Sequence, residues 1–242
     1  MRAALVLTLV ATLAVAVPHD VARAAVTRQN RPVTAFHAVR LVGAIDLVAT
    51  QSDTASLSLE GDSDQLKDVT TDVEDGTLVI AYRSGWSLWS WFRVPATAPR
   101  ALLSVTALDR LAVEGSGDAQ VQTLAVQDHL EIQVTGSGDV RLATLAAHSV
   151  EVRIAGSGDV RIGGAVLEES VRIAGSGDFY GGELKSARGK VAIAGSGDAV
   201  VWVRDALEVS ISGSGDLEYY GSPTLSQSRS GSGSIKGLGS KN

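Results

Sequence analysis

The tetrapeptide Gly-Ser-Gly-Asp occurs six times between residues 115 and 216, and a seventh copy near the end reads Gly-Ser-Gly-Ser. Its first glycines stand at 115, 136, 156, 175, 195 and 213, and the variant copy begins at 231. Successive steps are therefore 21, 20, 19, 20, 18 and 18 residues. A period of this length commits a chain to a repeat architecture, because one short unit leaves an apolar face that only a neighbouring unit can cover.

Alignment on that glycine makes the face visible. Two residues before it stand Val113, Val134, Ile154, Ile173, Ile193 and Ile211, and four before it Leu111, Ile132, Val152, Val171, Val191 and Val209. The column between them, Ala112, Gln133, Arg153, Arg172, Ala192 and Ser210, is mostly polar or small. Period-two alternation of this kind is a half-buried β-strand. It resumes after the motif, with Val140, Val160, Phe179 and Leu217 four residues past the glycine and Leu142, Ile162, Val201 and Tyr219 six past it. The tetrapeptide therefore bends the chain between strands, a task suited to glycine, with serine and aspartate able to bond nearby backbone.

Stacked at about 4.8 Å per rung, such strands make continuous parallel sheets around an aliphatic interior. A rung of about twenty residues holds roughly 65 Å of extended chain, enough to wind once round a narrow core. Propeller blades need about 40 to 45 residues, and the leucine-rich and hexapeptide patterns are absent. The expected fold is all-β: a single-domain right-handed parallel β-helix, the hand following from the preference of parallel crossovers.

The beginning of the chain gives an address. MRAALVLTLVATLAVAVPHDVARA has a basic start at Arg2, a largely apolar stretch to Val17 and a small-x-small ending at Ala22, Arg23 and Ala24. This reads as a secretory signal peptide over residues 1–24, too short for a membrane span. An exported protein, periplasmic or extracellular, is expected, with no membrane span. The chain has no cysteine, so a core and not disulfides must hold residues 25–242 together as one domain. The formal charge of −6, or −7 once Arg2, Arg23 and Asp20 leave with the signal peptide, argues against a nucleic-acid partner.

Residues 25–108 form a less regular opening part, and 109–242 the regular rungs. Within the opening part, Val42, Gly43, Ala44, Ile45 and Asp46 look like a decayed copy of the motif, and a short helix is expected from about Asp62 to Asp68. Phe36 to Val39, Gly61 to Val69, Asp75 to Ile80 and then serial GSGD rungs together resemble the "putative auto-transporter adhesin, head GIN domain" family over nearly all of residues 25–242. The resemblance implies an exported bacterial β-helix protein with an adhesin-like role. A carboxy-terminal β-barrel is not evident, so self-export is not expected. At the far end Gln227 and Arg229 replace the aliphatic columns and read as an eroded terminal cap.

In-register rungs place Asp118, Asp139, Asp159, Asp178, Asp198 and Asp216 in one column roughly 5 Å apart, where neighbouring unit charges repel by about 0.9 kcal/mol even in water. The expected remedy is an Asx-type turn at each corner, with Arg141 and Arg161 supplying opposite charge. The sharper alternative is calcium between rungs, held by these six carboxylates as hard ligands. The nine-residue period of calcium-binding β-rolls is absent, so no metal or other cofactor is expected.

Catalysis requires unlike residues gathered in one place, whereas every rung here repeats the same few side chains. His37, His129 and His148 fall at unrelated repeat positions and read as incidental surface residues, and neither a G-x-S-x-G elbow nor a P-loop is present. No catalytic residue is assigned, and an enzyme is not expected. The least repetitive stretch, SGWSLWSWFRVPATAPR, gathers Trp86, Trp89, Trp91 and Phe92. These rings suit either a cap over the open end of the stack or a binding surface. The chain reads as a non-catalytic exported scaffold that binds a cell-envelope glycan or protein. A polysaccharide-acting enzyme or glycan-binding module is the competing reading, marked by unlike acidic and basic residues in one groove.

Overall fold

A computed structural model describes residues 26–83 and 98–241. In it the repeat step and the sheet register coincide. Gly115, Gly136, Gly156, Gly175, Gly195, Gly213 and Gly231 are partners from one rung to the next, all in parallel pairing. The stack is a β-solenoid of about six turns, with a less regular part at its beginning.

That beginning comprises β1 (Thr27–Arg31), β2 (Ala38–Gly43), β3 (Asp46–Gln51), β4 (Ser56–Gly61), β5 (Val69–Glu74), β6 (Thr77–Tyr82) and β7 (Arg100–Val105). The rungs follow as β8 (Arg110–Gly115), β9 (Ala119–Ala125), β10 (His129–Gly136), β11 (Val140–Ala146), β12 (Ser149–Gly156) and β13 (Val160–Ala165). They end with β14 (Glu168–Gly175), β15 (Phe179–Gly195), β16 (Ala199–Gly213), β17 (Leu217–Tyr220), β18 (Thr224–Gly231) and β19 (Ile235–Gly239).

Each rung presents one strand to a sheet before the motif, such as β8, β10, β12 and β14, and one to a second sheet after it, such as β9, β11 and β13. In β15 and β16 the corner opposite the motif is absorbed, so one strand serves both sheets. The aliphatic columns close on each other between the sheets: Val134, Val140, Val152, Val160 and Phe179 are fully buried. A further inward column lies six residues before the glycine, where Leu130, Val150 and Leu207 are buried.

The tetrapeptide is fixed by crowding as much as by turning. At Gly156 φ is +133°, and a Cβ there would approach the Gly136 carbonyl oxygen closer than 3.0 Å. At Gly158 the backbone angle is ordinary, but a Cβ would collide with the Gly138 carbonyl oxygen and sit 2.9 Å from Val134 Cγ1. The first glycine is needed for conformation and space, the second for space alone.

The decayed copy at the start takes its expected place. Gly43 is the register partner of Gly115, and the Asp118 N–H donates to Asp46 Oδ1 at 3.1 Å. The route from there is not the simple upward winding the sequence implies. β2 pairs with β6 on one side and β8 on the other, and β3 pairs with both β7 and β9. The chain thus leaves the first rung, builds a layer outside it, and only then climbs. Antiparallel pairings of β1 with β4, β4 with β7 and β5 with β6 finish that end. The expected helix shrinks to a single 3-10 turn, Gln65–Asp68, whose Leu66 is wholly buried. At the other end β18 is almost entirely exposed, and Arg229 turns back to donate to the Gly233 carbonyl at 2.9 Å.

Candidate functional site

The aspartate column exists, but its bonding differs from the corner turn expected. Each carboxylate reaches forward to the next rung: the N–H groups of Asp139, Asp159, Asp178, Asp198 and Asp216 donate to Oδ1 of the preceding aspartate at 2.7 to 3.0 Å. Ser234 N–H completes the ladder on Asp216 at 2.7 Å. The reason is geometric. Gly-Ser-Gly directs its own amides onto the glycine carbonyl of the rung before, as Ser157 and Gly158 do with Gly136, which leaves the aspartate amide for the carboxylate. Nor do the arginines act alike: Arg141 stands 3.6 Å from Asp139, whereas Arg161 lies over the Tyr180 ring at 4.6 Å. Serine at 234 ends the ladder, having no carboxylate for a further rung.

A substitution pair separates acceptor from charge. Asp159→Ala strands the Asp178 amide and should cost about 1–3 kcal/mol. Asp159→Asn keeps an acceptor oxygen, removes one repelling charge and should stay within about 0.5 kcal/mol of the parent in urea unfolding. Equal damage from both would mean that the column needs negative charge, as a cation site would. Among the described residues no group of three or more His, Asp or Glu is arranged to hold a metal ion.

Symmetry breaks at the corner opposite the motif, beside the first rungs. There a groove of about 760 Å³ is lined by His37, Asp75, Asp109, Asp128, His129 and Glu131 among others. The β5–β6 hairpin supplies Asp75 from an Asp-Gly turn with φ of 48° and 75°, the positive angles such two-residue turns require. His37 packs on Gly76 and pairs with Asp109 at 3.0 Å. The backbones interlock as well, since Asp109 N–H donates to the His37 carbonyl at 2.9 Å and Glu131 N–H to that of Asp109 at 2.8 Å. His129 Nδ1 lies 2.9 Å from Ser149 Oγ. Two of the three histidines read as incidental therefore share one groove with these carboxylates and with Arg110, which pairs with Glu131 at 2.8 Å.

One interior residue escaped the reading of the columns. Glu169 is 2% exposed in the inward column six before the glycine, above Val150 and below Gly189. Its Oε1 is 3.1 Å from Ser186 Oγ, while Oε2 has no partner. Burial pushes its carboxyl up to about 8, so it is largely neutral at pH 7. The expected site at Trp86, Trp89, Trp91 and Phe92 lies outside the described residues.

The solenoid is similar to a "putative adhesin" of Bacteroides fragilis, with a TM-score of 0.82 and 23% identity, covering 88% of this chain and 97% of that one. It is also similar to a "putative lipid binding protein" of Parabacteroides distasonis, with a TM-score of 0.68 and 25% identity over 88% of this chain and 96% of the other. A "putative adhesin" of the same species gives 0.69 and 23%, with 89% and 98% covered. No curated protein matches the chain. The family model for "putative auto-transporter adhesin, head GIN domain" matches residues 35–223, and with most of its length so matched the chain belongs to that family.

Proposed function

We propose that the protein is an exported, non-catalytic β-solenoid scaffold that works by binding a glycan or protein of the cell envelope. The adhesin-like description of its family supports that class of role, and no helix among the described residues is long and apolar enough to cross a membrane. The observation that carries the reading is the groove. Elsewhere the repeated polar columns are spent on the stack itself: the aspartates bond rung to rung, and on the neighbouring sheet Arg153 and Arg172 both pair with Glu151. The groove at the cap end instead collects unlike side chains on a rigid support, the usual form of a ligand site.

A glycan array and an envelope pull-down test this with the parent protein and with Asp75→Ala/Asp128→Ala/His129→Ala. Binding should fall at least tenfold in the variant, with its melting temperature within a few degrees of the parent. Unchanged binding would remove the groove from the function. The same acids and imidazoles favour the second reading, a polysaccharide-acting enzyme, and release of new reducing ends from a bound polysaccharide would establish it. Vesicle sedimentation adds a lipid arm, prompted by the description of the second structural relative.

A further inference from the structure

At the last rungs the sheet after the motif carries a second departure from the repeat. β15 and β16 run in register to Gly181 and Val201, then three extra residues, Gly182 to Leu184, bulge before Lys185 meets Trp202. Over the bulge stand two half-buried rings, Trp202 and, one rung on, Tyr220. Gly182 leaves the space between bulge and ring open, since a Cβ there would already touch Tyr220 at 3.5 Å.

An ammonium group already sits in this space. Lys241 Nζ lies 4.9 Å from the centre of the Tyr220 ring and 5.6 Å from that of Trp202. It donates to the Gly182 carbonyl at 2.8 Å and to the Glu183 carboxylate. Lys185 Nζ is 5.3 Å from the same indole. Two π faces, one carbonyl and one carboxylate converging on a single nitrogen form the surroundings that select a cation on an aliphatic stem.

We propose that Trp202, Tyr220, the Gly182 carbonyl and Glu183 form a binding site for a lysine-type primary alkylammonium group, held closed by Lys241 of the same chain until a partner's lysine displaces it. The two oxygen acceptors set the preference. A primary ammonium has N–H groups for both, whereas a quaternary one would leave the Gly182 carbonyl without its bond. The tether gives Lys241 an effective concentration in the millimolar range, so it suppresses weak free ligands and yields to multivalent ones.

The test uses Lys241→Ala, which opens the site without touching its walls. N-acetyl-lysine-amide is titrated into the parent and the variant, and the Trp202 indole N–H is followed by NMR, assigned through Trp202→Phe. Saturable shifts are expected in Lys241→Ala, at least tenfold weaker binding in the parent, and none with the neutral side-chain-acetylated ligand. Tetramethylammonium should bind Lys241→Ala more weakly than the lysine derivative. A folded Lys241→Ala that gives no saturable shift, or responds equally to the neutral ligand, would make Lys241 a structural clasp only. Binding of phosphatidylethanolamine vesicles without binding of the lysine derivative would overturn the lysine assignment in favour of a lipid headgroup. Neither result bears on the cap-end groove.

Discussion

Replacing Gly156 by alanine should unfold much of the stack at temperatures the parent tolerates, although the change adds one methyl group. The new Cβ points at the Gly136 carbonyl oxygen, which receives the N–H groups of Ser157 and Gly158 at 2.9 and 3.2 Å. The rungs cannot separate to admit it without breaking both bonds. A non-glycine residue at φ of +133° adds about 1–3 kcal/mol of backbone strain, and overpacking adds about 1–3 more. A total of about 2–6 kcal/mol would lower Tm by roughly 4–24 °C for a domain of this size. The adjacent Ser157 is exposed, and its replacement by alanine should change stability by no more than about 0.5 kcal/mol. Thermal melts of the two variants check the contrast, and similar losses in both would mean that the glycines are not stacked on one another.

The second large effect is a pH dependence centred on Glu169. In the unfolded chain its carboxyl titrates near the ordinary 4.5, and in the folded protein burial raises it to about 8. Below pH 4.5 both states are protonated and the residue costs nothing in charge. As pH rises from 4.5 towards 8 the unfolded state releases its proton and the folded state keeps it, so stability falls by about 1.4 kcal/mol per pH unit. Above 8 both states are ionised and the loss levels off, on the order of 5 kcal/mol in total. The neutral acid also suits its surroundings: its O–H can donate to Ser186, whose own hydrogen then serves the Trp202 carbonyl 3.4 Å away. Glu169→Gln should abolish this component and be the more stable protein at pH 9, with little difference at pH 4.5. Urea unfolding of both across that range isolates the residue from the other titrating groups. Parallel profiles would show that Glu169 is not held in the dry interior.

Much of this structure is readable in the chain because one translation generates it. Where Val134, Ile154 and Ile173 recur at a fixed offset from a glycine, burial follows from alternation and stacking alone. Even the first rung was visible, in Val42 to Asp46. The return of β6 and β7 to pair in parallel with that rung was not, because no Gly-Ser-Gly-Asp copy joins these two strands to mark them as a coil of the repeat. The aspartate ladder was half legible: the column follows from the period, but the amide each carboxylate binds belongs to the next rung and depends on how Gly-Ser-Gly spends its own donors. Glu169 left a signal that two columns were too few to catch. Six before the glycine, Leu130 and Val150 give way to Glu169 and Gly189, and a Cβ at Gly189 would sit 3.3 Å from the Glu169 carboxylate. The groove was least legible, since His37 and Asp109 meet only because the cap folds back 72 residues along the chain.

Parallel stacking in register carries all of this, and the cysteine-free sequence makes it directly measurable. Thr135, Ala155 and Ala174 are exposed and follow one another on successive rungs. Cysteines at 135 and 155 should therefore lie about 5 Å apart at Cα, within disulfide range, whereas cysteines at 135 and 174 should stand about 10 Å apart and beyond it. Efficient oxidation of the first pair in the folded monomer, with none of the second, is the expected result. Failure of the first pair to cross-link, or equal cross-linking of both, would contradict the stack.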